Sequence, residues 1–142
     1  MPFDPSCIFC RIAKGEIPAE IVYRDESCVA FLDVNPLSPG HLLLIPVDHY
    51  TRVTQAPPSA ISAIMAVVPR LGAALMQATS APAFNLLQNN GSEAGQVVQH
   101  VHFHLIPRRS GDGLGFRWNA GAYSQGAAQA MGEAYRRLLQ AG

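Results

Sequence analysis

The chain has 142 residues, 49% of them apolar, which is enough for one domain with a buried core and argues against wholesale disorder. Ten basic residues balance ten acidic ones, and charged residues make up 14% of the chain against the roughly 25% of an average domain. A nucleic-acid polymer binder would show a basic face or helix, whereas the only basic doublets here are Arg108-Arg109 and Arg136-Arg137.

In chain order, Met1-Pro2-Phe3-Asp4-Pro5 has neither the basic start nor the apolar middle of a signal peptide. Residues Cys7 to Lys14 predict a short helix that Gly15 ends. Ile21 to Arg24 and Cys28 to Leu32 read as strands across the polar turn Asp25-Glu26-Ser27. A loop over residues 35–40 leads into a strand from His41 to Ile45. Its run Leu42-Leu43-Leu44-Ile45 is strand-sized and stops at Pro46, so no membrane span is expected. Ile61, Ile64, Met65, Val68, Leu71 and Leu75 recur at helical spacing and predict a helix from Pro58 to Thr79, with Ser59 as its cap and Pro69 as a kink.

Phe84 to Gln88 is a further strand candidate, residues 89–96 form a glycine-punctuated loop, and Val97 to Pro107 is expected to be the last long strand. Gly111-Asp112-Gly113-Leu114-Gly115 reads as turns, because it lacks the strand-to-helix setting of a dinucleotide fingerprint. A helix follows from about Ser124 to Gln140; it and Trp118 are candidates to cover a pocket or a subunit interface. Hairpin-joined strands with segregated helices imply a single α+β domain on a mostly antiparallel sheet of about five strands. Three cysteines, an odd number, disfavour a disulfide framework, and a cytoplasmic location is expected.

Three of the five histidines fall in His100-Val101-His102-Phe103-His104-Leu105-Ile106. Strict alternation is the strand period, so the imidazoles share one face and Val101, Phe103 and Leu105 the other. Alternate side chains on a strand stand about 6.6 Å apart, so neighbouring rings can do different work around one substrate. Three chemistries fit that pattern: a merely solvated face, a three-histidine metal site on His100, His102 and His104, and nucleophilic catalysis by a neutral imidazole. Cys7-Ile8-Phe9-Cys10 has metal-ligand spacing but no second local pair, so a tetrahedral metal would need distant ligands, and a buried thiol pair competes with it. Cys28 lies in an apolar run and reads as core.

The segment His100 to Ile106 resembles the signature of the histidine triad family. The likeness extends in order and spacing to Cys7-Ile8-Phe9-Cys10, Gly15-Glu16-Ile17-Pro18-Ala19, Phe31-Leu32-Asp33-Val34-Asn35-Pro36, Pro39-Gly40-His41 with the strand after it, His49, and Asn90-Gly91-Ser92-Glu93-Ala94-Gly95-Gln96. It covers about residues 7–108, leaving 109–142 as an extension, and is greatest to the nucleotide-binding branch, small homodimeric enzymes that hydrolyse nucleoside phosphoramidates and related nucleotidyl compounds. The resemblance implies that His102 attacks the α-phosphorus and forms a nucleotidyl-histidine, that His104 contacts the phosphate and leaving group, and that water then releases a nucleoside monophosphate without a catalytic metal.

The resemblance further implies that Asp33, assisted by Asn35, accepts the ribose hydroxyls, and that Ile8, Phe9, Ile12, Ile17, Phe31 and Leu43 sandwich a base, with a purine expected. Asn89, Gln96 and Val97 match positions facing the phosphate, and His41 one lying close to it; several family members carry a hydroxyl where this chain has Val97, whose backbone amide alone remains. Some members hold a structural zinc on the positions of Cys7, Cys10, His49 and His100. Competing readings are a dinucleoside polyphosphate hydrolase of the same family, a zinc hydrolase using the three histidines, and a non-catalytic nucleotide- or partner-binding module.

Overall fold

The computed structural model describes residues 3–115 and 119–141, and Trp118 lies outside the described residues. Two compact units divide the chain, Met1–Asp112 and Gly113–Gly142. In the first, strands β1 (Ile21–Arg24), β2 (Cys28–Leu32), β3 (Leu42–Pro46), β4 (Ala83–Gln88) and β5 (Phe103–Arg108) form one sheet in the order β1-β2-β3-β5-β4, every pairing antiparallel. The β1–β2 turn is closed by Asp25, whose Oδ1 accepts the N–H groups of Ser27 at 2.7 Å and Cys28 at 2.8 Å. Between β3 and β4 the chain crosses over through helix α2 (Pro58–Thr79), and β5 then fills the gap left between them.

Alternation along the strands sorts the core onto two faces. Cys28, Ala30, Leu42, Leu44, Phe103 and Leu105 pack with Ile64, Val67, Val68, Leu71 and Leu75 of α2. Val29, Phe31, Leu43 and Ile45 face the other way, against Phe9, Cys10, Ile12 and Ala13 of the short helix α1 (Ile8–Lys14). Gly15 ends α1 in the left-handed region (φ 84°), where a side chain would be strained, and its N–H returns to the helix carbonyls of Arg11 and Ile12.

Several expectations change. The last strand begins at Phe103, not Val97, because the backbone before it bonds elsewhere: Val101 N–H donates to the Tyr50 carbonyl at 2.7 Å, and the Val98 carbonyl accepts from Gln96 Nε2 at 3.0 Å. The third strand begins at Leu42, since His41 N–H closes a turn onto the Ser38 carbonyl at 3.1 Å. Ser59 does not cap α2: Pro57 is the cap, without a side-chain hydrogen bond, and Pro58 starts the helix with a φ already suited to it. Pro69 lies inside the helix, as its spacing placed it. At 22 residues and a mean hydropathy of 1.6, α2 is also long and apolar enough to cross a membrane, against the expectation drawn from uninterrupted aliphatic runs, which overlooks its many alanines. In this fold one face of α2 covers the sheet.

The second unit carries helix α3 (Ala127–Ala141), which starts after Gly126 rather than near Ser124. Its Met131, Tyr135 and Leu138 recur at one helical face and are exposed.

Where α2 meets the sheet edge, Gly72 leaves room for the Phe84 ring: a Cβ at 72 would stand 2.5 Å from Phe84 Cζ. Gly72→Ala gains helix propensity of up to about 1 kcal/mol but forces that ring to move, which typically costs about 1–3 kcal/mol. The expected outcome is a lower urea midpoint at unchanged slope; a midpoint equal to or above wild type would show that the ring swings aside freely.

Candidate active site

The segment 100–104 keeps its alternation beyond the end of the hydrogen-bonded strand. Val101, Phe103 and Leu105 enter the core beneath α2, while His100, His102 and His104 emerge on the α1 face. The three rings nevertheless diverge in their contacts. His100 is fully buried; its Nε2–H donates to the Pro46 carbonyl at 2.9 Å, leaving Nδ1 as a lone-pair donor. The Nδ1–H of His102 donates to the carbonyl of its own neighbour His100 at 2.7 Å, which leaves Nε2 unprotonated. The ring centres of His102 and His104 lie 5.0 Å apart, and the Phe9 ring packs edge-to-face with His102, centres 5.2 Å apart.

His104 is set by a chain of donors starting in a loop. The Leu37 N–H donates to His41 Nδ1 at 3.1 Å, so the proton of a neutral His41 sits on Nε2. That Nε2–H donates to His104 Nδ1 at 2.9 Å, and His104 in turn keeps its proton on Nε2. His41 is 2% exposed. Burial pushes its imidazolium below the ordinary range, with the Asp33 carboxylate acting weakly in the opposite direction. Burial, then the rings of His102 and His41, push His104 down to about 4. His102 is lowered chiefly by burial, against its hydrogen bond to the His100 carbonyl. One buried and one half-buried ring therefore stand side by side as neutral imidazoles, one presenting a lone pair and the other an N–H.

These rings line an open cleft of about 430 Å³, within the range of small-molecule sites. Of the residues singled out by sequence, the cleft gathers Ile8, Phe9 and Ile12 from α1, Ile17 after it, Phe31 of β2, Leu43 of β3, Asp33, Asn35, Val97, His102 and His104. Asp33 directly follows β2 with its N–H on the His41 carbonyl at 2.9 Å; its Oδ1 accepts Asn35 N–H at 2.9 Å, and its side chain stays 19% exposed. Its Oδ2 lies 3.7 Å from His41 Nε2. Val97 is 87% exposed on the rim.

Three residues singled out by sequence are not on the wall. His41 stands behind His104. Asn89 lies beneath Gly95: a Cβ at that glycine, whose φ is 93°, would stand 3.4 Å from Asn89 Nδ2. Gln96, expected to face a phosphate, is 3% exposed and fully spent on backbone: Oε1 accepts Gly91 N–H at 2.7 Å, while Nε2 donates to the carbonyls of Thr51 at 2.7 Å and Val98 at 3.0 Å. It shapes the loop in place of reaching into the cleft. The sequence reading also missed Pro18, Ala19, Leu32, Val34, Gly95 and Val98 as wall residues. Leu32 and Val34 flank Asp33, so adjacency to a candidate acceptor was the available signal.

A second convergence lies behind the cleft. One donor atom each from Cys7, Cys10, His49 and His100 lies within 4.8 Å of the others. Cys7 Sγ is 3.4 Å from His100 Nδ1, Cys10 Sγ is 3.3 Å from His49 Nδ1 and 3.5 Å from His100 Nδ1, and the two Nδ1 atoms are 3.2 Å apart. Zinc bonds of about 2.0–2.1 Å to nitrogen and about 2.3 Å to sulfur imply tetrahedral edges of about 3.3–3.8 Å, close to these spacings. The Nδ1 of His100 is a lone pair facing the other donors, an arrangement that a shared cation relieves. Burial pushes the Cys10 thiol up to about 11 and His100 down to about 4, so without such a cation both groups are neutral at neutral pH. Cys28 is buried on the opposite face and takes no part.

A metal on His100, His102 and His104 together does not fit, because the nitrogens of the three rings do not converge: those of His100 serve Pro46 and the cysteine cluster, while Nδ1 of His102 and of His104 are bonded within the protein.

Residues 14–111 match the HIT domain family. Among curated proteins the chain is similar to adenylylsulfatase HINT3 of Arabidopsis thaliana, 47% identical over 76% of this chain but only about half, 55%, of that longer protein. It is also similar to the adenosine 5'-monophosphoramidase HNT1 of Candida albicans, 43% identical over 86% of this chain and 84% of that one. Among solved structures, a Streptococcus mutans protein aligns over 97% of this chain and 88% of its own at TM-score 0.93 and 32% identity. A zinc-bound histidine triad family protein of Mycobacterium smegmatis aligns over 96% and 98% at TM-score 0.74 and 35% identity. On the extent of the family match and of these identities, the chain belongs to the HIT domain family.

Proposed function

We propose that the protein is a nucleotidyl hydrolase that cleaves nucleoside phosphoramidates and related nucleotidyl compounds through a covalent nucleotidyl-His102. The observation that carries this reading is the 2.7 Å bond from His102 Nδ1–H to the His100 carbonyl, which leaves the Nε2 lone pair available at the wall of an open cleft. The names of the Arabidopsis and Candida relatives, an adenylylsulfatase and a monophosphoramidase, support a nucleotidyl substrate cleaved at phosphorus.

The nucleoside enters with its base between the apolar side chains of α1, Phe31 and Leu43, and its ribose hydroxyls on the Asp33 carboxylate. His102 Nε2 then attacks the α-phosphorus. The Nε2–P bond forms as the bond from phosphorus to the leaving nitrogen breaks, and the departing pair takes a proton from water in the open cleft. His104 Nε2–H, held neutral and aimed by His41, donates to the oxygen or nitrogen on which charge develops. In the second half a water oxygen attacks phosphorus, its proton passing to the hydroxide left by the first half, the Nε2–P bond breaks, and the nucleoside monophosphate leaves with His102 returned to its neutral form. A rapid-mix intact-mass measurement with an adenosine phosphoramidate is expected to show one nucleotidyl group on the wild-type chain and none on His102→Ala, whose turnover falls at least about 10³-fold. Turnover by His102→Ala at the wild-type rate would remove this mechanism.

The cysteine–histidine cluster is proposed to hold a structural zinc, for which the zinc-bound Mycobacterium relative is support. Cys7, Cys10, His49 and His100 would be its ligands, and its chemistry there is to tie the N-terminal helix to the sheet, apart from the reacting rings. Zinc analysis of the purified chain is expected to give one metal per chain for wild type and none for Cys10→Ser, with a lower melting temperature for the variant. Brief chelation is expected to leave hydrolysis in place; its immediate loss would point to a metal in the reaction instead.

A further inference from the structure

Asp4 precedes the first helix and touches three of the four residues of the cysteine–histidine cluster. Its N–H donates to Cys10 Sγ at 3.4 Å, and its carbonyl accepts the Cys7 N–H at 3.1 Å. Its side chain reaches His49, with Oδ2 at ion-pair distance, 3.9 Å, from Nε2. The other oxygen, Oδ1, is pinned by Ser6, from the backbone N–H at 2.8 Å and from the hydroxyl at 2.7 Å. Asp4 is thus a fixed carboxylate with one oxygen left over.

The two histidines of the cluster both turn Nδ1 inward. When Nδ1 is a ligand, the proton must lie on Nε2, and a metal-bound imidazole needs an acceptor there to fix its ring and raise its basicity. For His100 the Pro46 carbonyl fills that role at 2.9 Å. For His49 the carboxylate oxygen at ion-pair distance from Nε2 is Asp4 Oδ2, at 3.9 Å. We propose that Asp4 is the outer partner of the metal site, its carboxylate accepting His49 Nε2–H and its amide supporting the Cys10 thiolate. This rests on the structural-zinc reading and adds to it a positioning residue, one that binds no metal itself but sets the affinity of the ligands that do.

The test is zinc affinity, measured on the full chain with zinc alone in competition with a chromophoric chelator. Asp4→Asn keeps the side chain's size and its acceptor for Ser6 but removes the charge, and is expected to weaken zinc about 10- to 100-fold. Glu20→Gln, which removes a remote exposed carboxylate, is expected to bind as wild type does. In the zinc-loaded protein, the proton resonance of His49 Nε2–H should move upfield in Asp4→Asn, a change that a loss of general stability would not produce. Equal affinity and an unmoved resonance in Asp4→Asn would overturn the proposal while leaving the zinc site standing, and an equal loss in Glu20→Gln would reduce the effect to overall charge. Should wild type bind no zinc, both readings fall together. If Asp4→Asn does not fold, Ser6→Ala serves in its place, since it removes one of the two bonds on Oδ1, leaving only the backbone N–H, and so loosens the carboxylate against His49. A smaller loss is then expected, and an unchanged affinity would count against the proposal.

Discussion

The hydrogen bond from His102 Nδ1 to the carbonyl two residues before it is the constraint around which the rest of the site is built. A ring can reach that carbonyl only if the backbone at His100 leaves the ladder, which is why the strand proper begins at Phe103. The groups so released are satisfied elsewhere, Val101 N–H by Tyr50 and the Val98 carbonyl by Gln96. Five residues thereby do three kinds of work. Val101 and Phe103 anchor the segment in the core, His100 turns toward the cysteines, and His102 and His104 face the cleft.

Electrostatics within the cleft follow from the same burial. Among the described residues that line it there is no lysine or arginine, so a phosphate there would meet neutral donors instead of fixed positive charge. A neutral N–H whose position is fixed in advance stabilises charge as it develops without binding the anionic product as tightly as a cation would. The chain from Leu37 through His41 to His104 supplies such a donor, and it depends on a backbone amide in the loop after β2, the loop that also presents Asp33 and Asn35. The Asp33 carboxylate and the His104 N–H are thus coupled through one turn of chain.

What could be read before the structure was what depends on side-chain period. Alternating histidines placed three rings on one face, helical spacing located α2 to the residue, and Asp25 marked its turn. The misread features depend on where individual backbone groups bond. Nothing in the residue type of Val97 or Val98 distinguishes a strand from an extended segment bonded to a side chain, and Ser59 has the composition of a cap but follows two prolines that make one unnecessary. Gln96 is the instructive case among the site residues. Its polarity beside a glycine loop fits a phosphate contact, yet a buried amide surrounded by backbone groups is spent on them first, because leaving those groups unpaired costs about 1–3 kcal/mol each.

The short first helix shows how the two sites depend on one another. Seven residues are too few to hold a helix in water, so α1 must be fixed from outside. On one side Phe9 and Ile12 bury against Phe31 and Leu43, and on the other Cys7 and Cys10 close on His49 and His100. Phe9 sits between, its ring 6.0 Å from His100 and 5.2 Å from His102, while also lining the cleft. Loosening the cysteine end would let the helix shift, and the first contacts to go would be those Phe9 makes with the His102 ring and with the cleft wall. A metal in that cluster would therefore act on the reaction without touching it, by holding one wall of the cleft against the histidine it faces.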